Sequence, residues 1–167
     1  SSKTIYLKKE AYHSFIKMYN QAKSEKINLK IISGTRNFYE QKAIWERKWE
    51  RYKNLSPIDR AKKILEYSSM PSTSRHHWGT DIDLNNLTNT YFEKGEGLKI
   101  YNWLTANAAT YGFCQPYSPK GADRPHGYNE EKWHWSYLPI AQKLTEQAQL
   151  RLKDEMIAGF KGAETAV

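Results

Sequence analysis

Residues 74–84 read SRHHWGTDIDL, and the stretch changes character at Gly79. Ahead of the glycine, Ser74, Arg75, His76, His77 and Trp78 have the composition of a loop. From the glycine on, residues 79–84 alternate polar and apolar and read as a strand. Asp81 and Asp83 lie two apart, so a regular strand puts them on one face. Glycine permits the tight turn between the two halves, which lets a histidine before the turn and an aspartate on the strand converge on one point. Two aspartates on one face are costly to bury without a cation or hydrogen-bond donors. From spacing alone, either Asp81 or Asp83 can join His76 in holding a metal.

Working outward, Tyr12, Phe15, Ile16, Tyr19 and Ala22 recur at helical spacing and predict a helix over about 8–27. A short β-like run at 29–32 stops at Ser33-Gly34. Residues 38–52 read as a second helix, rich in Trp and charge. Ser56-Pro57-Ile58-Asp59 starts a third, with Ser as N-cap and Pro in the first turn, running to about 67. Downstream, 98–111 predicts a helix closed by Gly112, 113–117 a strand, 118–129 a loop and 132–137 a strand. A long helix over about 139–158 with a frayed tail completes the chain. No regular βαβ alternation appears. The expectation is an α+β fold with a small central antiparallel sheet flanked by helices.

Bulk properties narrow the setting. At 167 residues the chain is expected to be one domain, 1–167. No apolar run approaches membrane-spanning length, and no signal peptide opens the sequence. Cys114 is the only cysteine, which excludes an internal disulfide and a thiolate-rich zinc cluster. The net charge of +8 suits an anionic partner such as nucleic acid, an acidic wall polymer or a membrane surface. Many of the lysines fall on amphipathic helices, where they read as solvated faces.

Five histidines are present. His13 falls inside the first helix and reads as a half-exposed surface residue. His126, in RPHGY, reads as a loop histidine, and His77 as wall. His134 sits in EKWHW, residues 131–135, flanked by tryptophans that favour a dry, neutral imidazole. Glu131 lies three before it, so both reach one site only if the chain bends between them or Glu131 is still in the loop. Two histidines and one carboxylate form a three-ligand set that leaves a fourth position for water, as in catalytic zinc sites. A further carboxylate held nearby can take the proton from that water.

Ser74-x-His76-x-x-Gly79-x-x-x-Asp83 followed by Glu131-x-Trp133-His134 resembles the paired signatures of the zinc D-alanyl-D-alanine carboxypeptidases, within the wider group of lysostaphin-type endopeptidases and the hedgehog domain. Ser33-Gly34-Thr35-Arg36 with Gln41 resembles a third block of that family, S-G-Y-R-S with a Gln five after the Arg. The three blocks occur in family order between about 33 and 137. The resemblance implies a hedgehog-like peptidase fold, a Zn2+ ion held by His76, Asp83 and His134, and Glu131 as general base and then acid. Arg36 would bind the scissile carbonyl or the terminal carboxylate, and Gln41 and Ser74 would help hold substrate. It also implies peptidoglycan stem peptides as partner rather than nucleic acid. The place of action would be the bacterial periplasm or cell surface.

This chain departs from the family pattern at Asp81, where the family prefers Ala. Asp81 is counted with the substrate contacts, as a residue that shapes a different pocket; it also suits an acceptor for a ligand histidine. Thr35 and Asn37 replace the Tyr and final Ser of the Arg block, and Trp135-Ser136 follows His134 where the family often has an Arg. A helical insertion over about 38–67 separates the Arg and His blocks. The leading expectation is a carboxypeptidase that removes a terminal D-alanine. The alternatives are a cross-link endopeptidase, a zinc-containing binding module without hydrolysis, and a metal-dependent nuclease using the His-rich loop and Asn85-Asn86. Oligomeric state is not legible.

Overall fold

The computed structural model describes residues 4–166; residues 1–3 and 167 of the expected 1–167 domain lie outside the described residues. The strands are β1 (Ile31–Ser33), β2 (Asp81–Leu84), β3 (Phe113–Cys114) and β4 (His134–Tyr137). They form one antiparallel sheet in the order β1-β2-β4-β3. The α-helices are α1 (Lys9–Ser24), α2 (Phe38–Arg51), α3 (Pro57–Leu65), α4 (Gly95–Asn107) and α5 (Leu138–Arg151). The α+β expectation with a small antiparallel sheet holds.

The central strand pair decides which side chains meet. Asp81 pairs with Ser136, Ile82 with Trp135 and Asp83 with His134. Strand side chains alternate faces, so Ile82, Leu84 and Trp135 share the face that packs with Phe15, Met18, Phe92, Ile100 and Leu104 of the main core. Asp81, Asp83, His134 and Ser136 share the other face. Burying an aliphatic side chain contributes roughly 1.5–3 kcal/mol. A one-residue slip would exchange those side chains for carboxylates, so the hydrophobic core enforces the register that gathers the polar cluster.

A second apolar cluster lies under α2 and α3. It joins Trp45, Trp49, Ala61, Ile64, Met70 and Phe160. Trp45 and Trp49 stack with centroids 6.2 Å apart, and Phe160 meets Trp45 edge-on at 5.8 Å. Phe160 belongs to the segment expected to fray. Instead, residues 157–166 pack against α2 and α3, with Ile157, Phe160, Ala163 and Ala166 joining this second cluster. Lys42 Nζ donates to Gly159 O at 2.6 Å, and Trp45 Nε1 donates to Lys161 O at 2.8 Å. The C-terminal helix accordingly ends at Arg151, short of the expected 158, because Leu152 turns extended and leads the chain back to this apolar surface.

Other boundaries differ for local reasons. The first helix ends at Ser24, not 27: Lys26 takes a left-handed φ of 63°, and Ile27 N donates back to Ala22 O. The strand expected over 113–117 stops at Cys114, two residues before Pro116, which has no N–H to offer a ladder. The predicted helix over 98–111 begins earlier, at Gly95, and finishes as a 3-10 turn over Ala108–Tyr111. The capping at Ser56 is as expected, its hydroxyl accepting from Asp59 N.

Candidate metal centre and cleft

Two turns and the β2–β4 pair build the site. Ser74 starts a 3-10 turn over Arg75–Trp78, its hydroxyl accepting from His76 N. Gly79 then reverses the chain into β2 with φ 72°. A Cβ there would approach Lys8 N and Thr35 Oγ1 to 3.2 Å, so both conformation and space require glycine. Gly34 is needed for a different reason: a Cβ would lie 2.6 Å from Ile5 Cγ2. Its carbonyl faces His76 Nδ1 at 2.8 Å.

His134 follows a turn in which its N–H donates to Glu131 O at 3.2 Å. That turn is the bend required for Glu131 and His134 to face one site. It is pinned from outside. Glu131 N donates to Tyr117 O, Lys132 N donates to Asn89 Oδ1, and Asn89 Nδ2 donates to Glu130 O.

One ligand atom each from His76, Asp83 and His134 lies within 4.8 Å of the others. The hydrogen bonds assign the tautomers. His76 donates Nδ1–H to Gly34 O, which leaves Nε2 bare and 3.4 Å from Asp83 Oδ1. His134 Nε2 lies 2.7 Å from Asp81 Oδ2, so that nitrogen carries a proton, while Nδ1 faces Glu131 Oε2 at 3.1 Å and Asp83 Oδ1 at 3.6 Å. Asp83 Oδ1 is buried and accepts no hydrogen bond among the described residues. An orphaned carboxylate oxygen between two imidazole nitrogens suits a cation. Tetrahedral zinc with bonds of about 2.0–2.1 Å would space its ligand atoms by roughly 3.3 Å, close to the two separations found. The donor set therefore fits zinc.

The electrostatics agree. Burial alone would raise the Asp83 carboxyl, but His76, His134 and Arg36 hold it below its usual range. Burial also disfavours charge on His134. Hydrogen bonds to Asp81 and Glu131 and the charge of Asp83 outweigh it and push the imidazole up to about 10. Without a metal, the cluster holds a proton at the place a cation would take.

Asp81 was expected among the substrate contacts. It is instead fully buried and does not line the cleft. Its oxygens are already occupied. Oδ2 accepts from His134 Nε2 at 2.7 Å and Arg75 Nε at 2.9 Å; Oδ1 accepts from Thr80 at 2.7 Å and Ser136 at 2.9 Å. Arg75 also donates to Thr145 and Ser136 and lies over the Trp78 ring. It thus ties the His76 turn to β4 and α5. Burial works against the Asp81 carboxylate, but His134 and Arg75 hold its pKa well below the ordinary value.

The other expected residues line a cleft of about 700 Å³. Arg36 reaches Asp83 Oδ2 at 3.5 Å and donates to Ser33 Oγ at 2.9 Å. Its Nε is buried with no partner among the described residues. Gln41 donates Nε2–H to Ser69 O, leaving Oε1 buried and unpaired among the described residues. Ser74 is 1% exposed at the cleft edge, and Glu131 Oε2 stands 3.1 Å from His134 Nδ1. Trp133 has a double duty, packing in the core while lining the cleft.

His77 braces the wall, with Nδ1 toward Arg36 O and Nε2 accepting from Ser72 N; burial lowers its pKa and keeps it neutral. His13 and His126 are exposed and off the cleft. Asn85 spends its amide on Asn28 O and Lys30 N, Asn86 accepts from Thr88, and neither asparagine lines the cleft.

Sequence reasoning missed Tyr117, Tyr128, Arg75 and Lys48. Tyr117 sits edge-on to His134 at 4.9 Å, and burial holds its hydroxyl well above its usual pKa. Tyr128 donates to Ser69 Oγ. Neither tyrosine carries a spacing signal, since both come from the irregular stretch after β3.

The model of the VanY D-alanyl-D-alanine carboxypeptidases matches residues 4–140. The Bacillus subtilis (strain 168) protein YodJ, named for an inferred carboxypeptidase activity, is 30% identical over 153 residues; these cover 89% of this chain and 53% of YodJ. The chain thus spans about half the length of that relative. A zinc(II) complex of a variant of the vancomycin-resistance D,D-pentapeptidase VanY, from a VanB-type cassette, superposes with a TM-score of 0.68 at 22% identity, covering 89% of this chain and 83% of that one. The LdcB LD-carboxypeptidase superposes with a TM-score of 0.67 at 24% identity, covering 88% and 68%. At these identities the structures share the fold. With a family match across most of its length, the chain belongs to the VanY D-alanyl-D-alanine carboxypeptidase family.

Proposed function

We propose that this chain is a zinc-dependent peptidase, one catalytic domain over residues 1–167, that removes a terminal D-alanine from peptidoglycan stem peptides. The observation that carries the reading is the orphaned Asp83 Oδ1 between His76 Nε2 and His134 Nδ1, with Glu131 alongside. His76, Asp83 and His134 would hold the zinc. When bound, zinc acts as a Lewis acid and lowers the pKa of water toward ~7.

The remaining work falls to the protein. Glu131 Oε2 is placed to take the proton of the attacking water and pass it to the leaving amine. Arg36 keeps a buried, unused Nε–H for the carbonyl oxygen as it gains charge. Gln41 Oε1, equally unused, accepts an N–H of the substrate, and that bond relieves a buried unpaired acceptor. Asp81 holds the His134 ring in the tautomer that turns Nδ1 toward the metal. The substrate class puts the work in the periplasm or at the cell surface. No helix among the described residues is long and apolar enough to cross a membrane.

YodJ is named for a carboxypeptidase activity, and the two structural neighbours for a D,D- and an LD-activity. These names support a peptidase acting on such peptides and leave stereochemistry to the cleft side chains. The test is mass spectrometry of peptidoglycan fragments incubated with zinc-loaded protein, with chelated protein as control. Loss of one alanine from the peptide ends is expected. Cleavage confined to cross-linked fragments would replace this reading by an endopeptidase. Zinc binding without any cleavage would leave a binding module.

A further inference from the structure

The α2 wall of the cleft carries positive charge that the proposed chemistry does not use. Gln41, Ile44 and Lys48 follow one another at helical spacing along the cleft, with Arg47 beside them. Trp45 and Trp49 anchor the same helix in the second core. Lys48 therefore emerges at the boundary between core and cleft, half buried. Its Nζ donates to Ser68 Oγ at 2.5 Å, and it forms no ion pair with a carboxylate among the described residues. Arg36 and Arg75, the other low-exposure cations of the cleft, each have a carboxylate partner, Asp83 and Asp81.

The surroundings make this a poor place for an unaccompanied ammonium. Burial disfavours its charge; Glu131 favours it; Arg51, Arg47 and Arg36 disfavour it again. Glu131 is itself buried and engaged with His134. A half-buried cation with a hydroxyl neighbour and no counter-ion matches an anionic ligand, and a carboxylate is the anion a peptide carries.

We propose that Lys48, with Arg47 at the rim, forms a carboxylate-binding subsite of the cleft that holds an anionic group of the peptide substrate. This rests on the peptidase reading for its substrate class and adds a specificity determinant to it. Two groups share the chemistry: the α-carboxylate of the terminal residue, and the carboxylate of an acidic residue further back along the peptide. Arg36, already beside Asp83, stays with the metal and the scissile carbonyl.

The experiment measures peptide binding by calorimetry to the zinc-loaded Glu131→Gln protein, which removes turnover from the readout. Three peptides are compared: a stem peptide with its free C-terminus, the same peptide as C-terminal amide, and the same peptide with its acidic residue neutralised. Lys48→Met is expected to weaken binding of the free peptide about 10-fold or more, as for loss of a charge-assisted hydrogen bond. Lys48→Arg should retain most of the affinity. One of the two neutralised peptides should bind with and without Lys48 equally well, and that peptide identifies the carboxylate. Equal weakening of all three peptides, or of none, overturns the subsite. Failure of the parent protein to bind any of them overturns the peptidase reading beneath it, a distinguishable result. Melting temperatures of the variants show that each is folded.

Discussion

Replacing Asp81 by alanine separates what holds the fold from what holds the metal ligand. The substitution removes a fully buried carboxylate that accepts four hydrogen bonds. Thr80 and Ser136 can turn their hydroxyls elsewhere. Arg75 and His134 cannot. Breaking a buried ion pair by deleting one partner costs about 3–5 kcal/mol. The Arg75 side chain is 16% exposed and keeps Thr145, Ser136 and the Trp78 ring, which argues for the lower end, about 3 kcal/mol. At 167 residues, each kcal/mol moves the melting temperature by roughly 2–4 °C, so a fall of about 6–12 °C is expected in the metal-free protein. His134 also loses the acceptor that fixes its tautomer, which should weaken zinc roughly 10- to 100-fold in chelator competition. The pair Arg75→Met with Asp81→Ala removes the stranded charge. It should regain most of the thermal stability while zinc affinity stays low, because His134 Nε2 still has no acceptor. Asp81→Asn, which can keep an acceptor toward His134 and Arg75, should fall between wild type and alanine. If Asp81→Ala leaves zinc affinity intact, or if the double variant restores stability and affinity together, the two roles assigned to Asp81 are wrong.

Three further outcomes follow from the same geometry. Glu131→Gln should bind zinc nearly as well as wild type and lose about 10²–10⁴-fold in kcat on a stem peptide; an active Glu131→Gln protein would remove it as the base. His134 has its pKa raised from the ordinary 6.5 to about 10 in the metal-free protein. The stabilisation from its charge is therefore complete below about pH 6.5 and fades as pH climbs toward 10. Zinc requires the neutral ring, so near pH 8 its binding should release at least one proton, one from His134 and any further one from the bound water, read by calorimetry in buffers of different ionisation heat; release of none contradicts the assignment. Phe160→Ala should destabilise by about 3 kcal/mol, since it opens a cavity against Trp45 and Trp49, and denaturant melts would expose a mobile tail as an unchanged midpoint.

The residues that build the site were largely visible in the chain itself, the candidates through short-range geometry and their roles through the family resemblance. A strand's period of two puts Asp81 and Asp83 on one face whatever lies opposite. A glycine at 79 permits only certain turns, and the spacing of Glu131 and His134 demands a bend that a four-residue turn supplies. What the period cannot say is which residue of a strand some fifty positions away stands across from each aspartate. That was decided by the β2–β4 register, in which Ile82 and Trp135 go to the core and Asp83 comes opposite His134. With Asp83 so placed, Asp81 falls behind His134, against Arg75, where the sequence had suggested a substrate contact. The tail after α5 was equally illegible, because its lone buried aromatic, Phe160, has no periodic company and finds its partners on α2, more than a hundred residues earlier. Lys48 looked like any lysine on a charged helix. Only the packing of Trp45 and Trp49 into the second core rotates α2 so that this amine meets the cleft with no carboxylate partner among the described residues. Local periodicity sets the face on which a side chain lies; the burial of distant apolar surface sets what that face meets.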